Sequence, residues 1–209
     1  MSNPSKNGKN IIEFNCRNGV YAVGTEVKPL GYLTAINTEK NVDTKDIYGD
    51  GEVILSQITD KGSTGSLELT ARDDDFEKDL GFELEIEQGL AEAQVISNVP
   101  ISFGAECYIV VKGTDGTAVT KTKKVWWLNA IVKPASTSLS QNTESTNESN
   151  ASYAVTVNGE YLKDSTGNAT YVDANGNTRK IYKISCLPGH ASYATFLDSV
   201  PVPKAKAQA

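Results

Sequence analysis

The sequence predicts a mainly β fold with one short helix laid on a sheet. Three observations predict it. Ser66 to Ala71 alternates strictly, with Leu67, Leu69 and Ala71 on one side and Ser66, Glu68 and Thr70 on the other. Cys107–Val111 and Val125–Val132 are runs rich in Val, Ile, Tyr and Trp, the residues that suit a pleated surface. Asp73-Asp74-Asp75 ahead of Phe76 and Leu80, closed by Gly81, is the pattern of a capped helix of about one turn, with acids at its positive end.

In chain order, residues 1–10 are polar and read as an N-terminal arm. Ile11 to Gly24 carries two short apolar runs and reads as a first strand, and Gly31 to Ile36 as a firmer one. Residues 37–65 change character: Glu39, Lys40, Asp43, Lys45, Asp46, Asp50, Asp60 and Lys61 are set between short apolar pieces. Within them Asp46 to Gly51 reads as a strand end and turn, and Val53 to Ile58 as a returning strand, so the whole is a long charged hairpin or loop. Loops of that length in compact domains carry function or are disordered.

Phe82 to Gln94 alternates like a strand at first and then favours helix, and it stays unassigned. The run Val125–Val132 is apolar on both faces, which requires a core on one side and a second layer or a neighbouring subunit on the other. Trp126 and Trp127 are therefore candidates for core or subunit packing. Asp115-Gly116 signals the hairpin that precedes this run. Pro134 to Ser152 is a polar linker or exposed loop, Tyr153–Val157 resumes strand, and residues 159–178 form an excursion of turn clusters with no assigned role. Arg179 to Leu187 reads as a last strand, and residues 188–209 as an extended C-terminal tail.

Little in the chain can do chemistry. His190 is its one histidine and follows a Pro-Gly turn, and no nucleophile elbow stands elsewhere for it to serve, so no triad is expected. Cys16, Cys107 and Cys186 are odd in number and lack CxxC spacing, which argues for reduced, packed thiols over a metal knuckle or disulfide framework. Asp173 to Asn177 resembles the start of a calcium loop, but the glutamate such a loop needs is replaced by Ile184. No enzyme activity, cofactor or metal is expected. The first residues lack the apolar core of a signal peptide and no stretch reaches membrane-span length, so a soluble protein made in the cytoplasm is expected, and the sequons at Asn147, Asn150 and Asn168 carry no weight.

The net charge of −6 is unevenly spread: residues 39–92 hold 16 acids against 5 bases, and the remainder 10 acids against 15 bases. A protein so charged lacks the continuous basic surface that neutralises nucleic-acid phosphates.

Gly31-Tyr32-Leu33, Ile47-Tyr48-Gly49-Asp50-Gly51, Gly62 to Thr70, and Phe76 with Leu80-Gly81-Phe82 follow one another in an order that resembles the major tail protein family of long-tailed, non-contractile phages of Gram-positive hosts. Lys124-Val125-Trp126 and Thr143-Glu144-Ser145-Thr146 extend the resemblance, which spans about residues 19–157. It implies a single tail tube domain over residues 1–209, with a β-sandwich or barrel-like fold, a flanking helix and a long inter-ring loop. It further implies six copies in a ring, rings stacked into a tube around a tape-measure protein, and DNA passing through without specific binding. Tail terminator and distal tail proteins are the implied further partners; the virion tail is the implied location, with the host cytoplasm during assembly. On this reading residues 37–65 are the inter-ring loop, Asp43, Asp46, Tyr48, Asp50 and Glu52 are candidate contacts between rings, and the two terminal segments are further bridges. A tube from a contractile tail or a type VI secretion system shares that architecture, and fold alone does not separate them. The competing reading is a β-sandwich carbohydrate-binding or adhesin-like module, with Trp126 and Trp127 beside Lys123 and Lys124 as a stacking platform.

Overall fold

The computed structural model describes residues 10–96, 98–112, 117–135 and 150–206. Residues 1–9 of the N-terminal arm, the Asp115-Gly116 turn and the Thr143–Thr146 motif lie outside the described residues.

The fold is mainly β. Eight strands form one antiparallel sheet: β1 (Asn10–Val23), β2 (Glu26–Pro29), β3 (Leu33–Gly49), β4 (Glu52–Leu69), β7 (Pro100–Lys112), β8 (Ala118–Val132), β9 (Ala151–Val157) and β12 (Lys183–Cys186). The order is β2-β1-β7-β8-β9-β4-β3, with β12 paired to β8. The sheet curls until its far strand comes back beside β1: Cys16 Sγ donates to Thr34 O at 3.4 Å, and Gly19 lies so close to Leu33 that a Cβ there would stand 2.9 Å from its Cδ2, bringing β1 against the start of β3. A curled sheet that nearly meets itself is barrel-like, and it removes most of its own edges.

Curling creates an inside and an outside, and the alternation of β8 feeds both. Val125 and Trp127 point into an inner core with Tyr21, Leu67, Leu69, Phe76, Phe103, Tyr153, Val155 and Val157. Trp126 and Leu128 point the other way, into an outer core with Ala22, Cys186, Phe196 and Leu197. Phe103 stacks on Trp127 with ring centroids 5.1 Å apart. Gly104, opposite Trp126 in the β7–β8 ladder, has no room for a side chain, since a Cβ there would stand 2.9 Å from Val125 O and 3.0 Å from the Trp126 ring.

β8 serves two partners along one edge. Lys124 to Trp127 pair with Cys186 to Lys183 of β12, and Ala130 to Val132 pair with Val157 to Val155 of β9. The change falls at Asn129, whose φ of +50° is a left-handed conformation that Asn adopts more readily than other side-chain-bearing residues. Its Nδ2 donates to Gly159 O at 3.2 Å and its N–H to Ser102 Oγ at 3.2 Å, holding the kink.

Helix α1 (Asp74–Asp79) is capped as its sequence predicts. Asp73 Oδ1 accepts from Phe76 N at 3.2 Å while Oδ2 accepts from Gly31 N at 2.9 Å, so one carboxylate both starts the helix and ties it to the turn before β3. Phe76 stands edge-on between Tyr21 and Tyr153, at 4.9 and 5.4 Å. Asp79 binds the Tyr21 hydroxyl at 2.7 Å and Lys28 Nζ at 2.8 Å. Burial would raise the Asp79 carboxyl, but these two partners outweigh it and hold it below its usual range.

Several expectations are corrected. The strand expected from Gly31 starts at Leu33, because Tyr32 at φ +60° still belongs to the turn. Of the two readings of residues 37–65, hairpin or loop, the hairpin holds: strand runs on both sides of a two-residue turn, with register shifts between Lys40 and Val42 and between Ile47 and Tyr48. The ambiguous Phe82–Gln94 is a small hairpin, β5 (Glu83–Ile86) with β6 (Gly89–Glu92). The expected last strand is two pieces, β11 (Lys180–Ile181), which pairs with β10 (Glu160–Tyr161), and β12. The C-terminal segment is not a free extended tail over its described length: Phe196 and Leu197 are buried against Trp126, whose Nε1 donates to Phe196 O at 2.8 Å. The segment that crosses the outer face of β8 comes from the same chain, so the indole needs no neighbouring subunit to cover it.

A candidate assembly arm

β3 and β4 pair from Leu33–Leu69 out to Gly49–Glu52, but β9 accompanies β4 only from Leu69 back to Ser63. Beyond that point the hairpin runs on as a ribbon with no further strand beside it among the described residues, carrying it about 30–35 Å past the last β9 pairing at the usual rise per residue. Every residue from 39 to 48 and from 50 to 61 is exposed. The ribbon closes through Asp50 (φ +52°) and Gly51 (φ +85°), the two left-handed positions of the turn that best matches strand twist.

The ribbon is apolar where a solvent-facing ribbon should be polar. Val42, Ile47, Tyr48, Val53, Ile54, Leu55 and Ile58 are 43–71% exposed. The register and the pleat put Val42, Tyr48, Val53 and Ile58 on one face and Ile47 with Leu55 on the other. Ile54 sits at a register shift near the tip and lies over Gly49, where a Cβ would stand 2.1 Å from its Cδ1. Between these residues run internal ties: Lys61 to Asp43 at 2.9 Å, Lys40 to Asp60 at 3.3 Å, and Ser56 Oγ donating to Asp46 at 2.5 Å. The Lys61 contact lowers the Asp43 carboxyl, and the Gly62 N–H, followed by Lys40, lowers that of Asp60.

The five residues expected to make contacts between copies thus divide. Tyr48, Asp50 and Glu52 gather at the tip. Asp43 and Asp46 stand lower on the ribbon, engaged with Lys61 and Ser56. The expectation missed the aliphatic residues that give the ribbon its character. Their signal was Val53-Ile54-Leu55 and Ile58 within a charged run, which reads equally well as a core strand.

A second concentration of charge lies where α1 meets β5–β6. Arg72 Nη1 is 3.4 Å from Glu77, 3.5 Å from Glu83 and 3.0 Å from Glu92. Glu77 is almost fully buried and accepts from Tyr153 Oη at 2.5 Å. Burial, and after it the charge of Glu77, push the Glu83 carboxyl above its ordinary value. The same burial and the hydrogen bond to Glu77 push the Tyr153 hydroxyl upward. One guanidinium facing three carboxyls makes a structural clasp.

The remaining candidates sit in ordinary surroundings. Trp126 and Trp127 are buried, 0% and 4% exposed, and Trp127 Nε1 donates to Thr38 Oγ1 at 3.1 Å, so neither ring offers a stacking platform for a sugar. Asp173 Oδ1 accepts from Asn175 N and Asn177 N, both at 2.9 Å, and so organises a turn of its own backbone. His190 is exposed in a turn before Tyr193.

No protein-family model matches the chain, and no curated protein matches it. Among solved structures, a chain of the anti-feeding prophage baseplate, determined by cryo-EM with six-fold symmetrisation, aligns with 9% identity over 75% of this chain and 93% of the other, at a TM-score of 0.34. The crystal structure of an Hcp protein aligns with 9% identity over 78% of this chain and 98% of the other, also at a TM-score of 0.34. Likenesses this remote establish neither a shared fold nor a shared activity.

Proposed function

We propose that this chain is a structural virion protein that assembles with copies of itself into stacked six-membered rings, forming the tail tube of a long-tailed phage through which DNA leaves for the host. The observation that carries this reading is the arm: a two-stranded ribbon with seven large apolar side chains exposed and, among the described residues, no third strand beside it. An isolated two-stranded ribbon is marginal in water, and open strand edges invite pairing. Finishing the burial of those side chains is worth on the order of 10 kcal/mol gross. Association costs of 4–15 kcal/mol subtract from that, so one arm contact alone is weak. Many contacts made together in a ring or stack hold firmly, because each later contact forms within an assembly already in place. Free subunits then stay apart until a template gathers them.

In this reading the arm reaches the next ring, with Tyr48, Asp50 and Glu52 at its tip and Asp43 and Asp46 along its length. The acid-rich quarter of the chain, residues 39–92, supplies negative charge that repels phosphate wherever it faces the channel. A tape-measure protein inside the tube and terminator and distal tail proteins at its ends complete the assembly, in the virion tail after formation in the host cytoplasm.

The test is electron microscopy of the purified protein across a range of concentration, with and without a tail-tip template. Six-membered rings or tubes of uniform diameter are expected. Removing residues 39–60 and closing the strands with an Asn-Gly turn leaves a folded monomer that does not polymerise. Tubes formed by that variant would refute the arm's role, and single particles from the full chain under every condition would refute the assembly itself.

A further inference from the structure

Two of the three cysteines face each other. Cys16 of β1 and Cys107 of β7 are direct partners in the antiparallel ladder. Residues so opposed have Cα atoms about 4.5–5.5 Å apart and send their side chains to the same face. That separation falls within the roughly 4.4–6.8 Å that a disulfide spans. Both thiols line the same two clefts, of about 540 and 350 Å³, along the seam where β1 approaches β3. Cys186 is elsewhere, buried in the outer core with its Sγ 3.7 Å from Ser192 Oγ.

The local backbone can give. Register shifts interrupt the β1–β7 ladder between Phe14 and Cys16 and again between Arg17 and Val20, with Asn15 and Asn18 at positive φ. Only the Cys16–Cys107 and Arg17–Glu106 pairs stand between them, so the segment that carries Cys16 is anchored less rigidly than a regular strand. The thiol of Cys16 is now spent on Thr34 O of β3, one of the few ties across the seam. Around Cys107 stand the ammonium groups of Lys123 and Lys183, which favour its thiolate, and Glu13, which opposes it and is paired to Lys123. Burial raises both thiols, so the reaction is slow at neutral pH and faster above it.

We propose that Cys16 and Cys107 form a dithiol site that closes to an intramolecular, cross-strand disulfide when a small disulfide such as oxidised glutathione reaches the cleft. One protein thiol loses its proton and attacks a sulfur of the reagent, giving a mixed disulfide and releasing one reagent thiol. The second protein thiol then attacks the bound protein sulfur and releases the other. Two protein thiols are oxidised, the reagent is reduced to two thiols, and those thiols carry away both protons. Closure withdraws Cys16 from Thr34, trading a tie between β1 and β3 for a covalent bond between β1 and β7.

The test is oxidation of the full chain by oxidised glutathione at pH 8.5, followed by unfolding, alkylation and peptide mass spectrometry. The expected product is 2 Da lighter than the reduced chain, alkylates once, at Cys186, and yields a Cys16–Cys107 cross-linked peptide that dithiothreitol reverses. A Cys186→Ser variant, which keeps the pair, gives the same cross-link and no alkylation. Three alkylated cysteines, a stable glutathione adduct without closure, a bond that uses Cys186, or a disulfide between two copies would each overturn the proposal.

Discussion

The β7–β8 ladder and the outer half of the β3–β4 hairpin are both long antiparallel ribbons of one sheet, with comparable runs of apolar residues. In the first, Ile101, Phe103, Ala105, Val125, Trp126, Trp127 and Leu128 are buried; in the second, Val53, Ile54, Leu55 and Ile58 are at least half exposed. The difference lies in neighbours. β7 has β1 on its far edge, β8 has β12 and β9, and both faces are covered by a core. The arm has none of these among the described residues. Equal hydrophobicity therefore stabilises the subunit in one place and is left facing solvent in the other, where we propose that it serves contact between copies.

The strongest way to break this comparison is to empty the covered ladder. Trp126→Ala removes a fully buried ring and the bond to Phe196 O, and should cost about 3–5 kcal/mol in urea unfolding. It should also open the C-terminal segment to proteolysis before the rest of the chain. A loss under about 1 kcal/mol would mean that the outer core is not part of the folded unit.

A smaller effect sharpens it at β5–β6, a hairpin with Leu84, Ile86 and Leu90 exposed but clasped to α1 through Arg72. Glu83 there keeps its proton in the folded chain at pH values where the unfolded chain, near 4.5, has lost it. The folded state then binds more protons than the unfolded state, so this group's contribution to stability falls as pH rises from about 4.5 through the raised value. Glu83→Gln, a neutral stand-in for the protonated acid, should flatten that slope in unfolding experiments repeated across pH. An unchanged slope would place the charge elsewhere.

The smallest effect on stability belongs to the arm. Ile54→Asp with Ile58→Asp touches side chains 71% and 70% exposed, and should leave unfolding free energy within about 0.5 kcal/mol of the parent while abolishing ring or tube formation. Destabilisation comparable to that of Trp126→Ala would show that the ribbon folds onto its own subunit.

Much of the fold was legible locally. The alternation of Tyr153 to Val157, the Asp73 cap with Gly81 as stop, the Asp50-Gly51 turn and the two-sided burial of Val125 to Val132 all follow from side-chain period or from the φ values that Asn, Asp and Gly tolerate. The left-handed kink at Asn129 lay inside that apolar run, in the one residue type there suited to it, yet nothing local says that β8 must change partner at that point.

The sequence by itself determined which residues need cover, since period and composition are properties of neighbours along the chain. Only the tertiary structure decided what covers them: Phe196 and Leu197 close over Trp126 from seventy residues away, while none of the described residues closes over Ile54 and Ile58. The partner of an apolar face is chosen by long-range contacts whose energy appears only when distant segments meet, and no local pattern encodes that meeting.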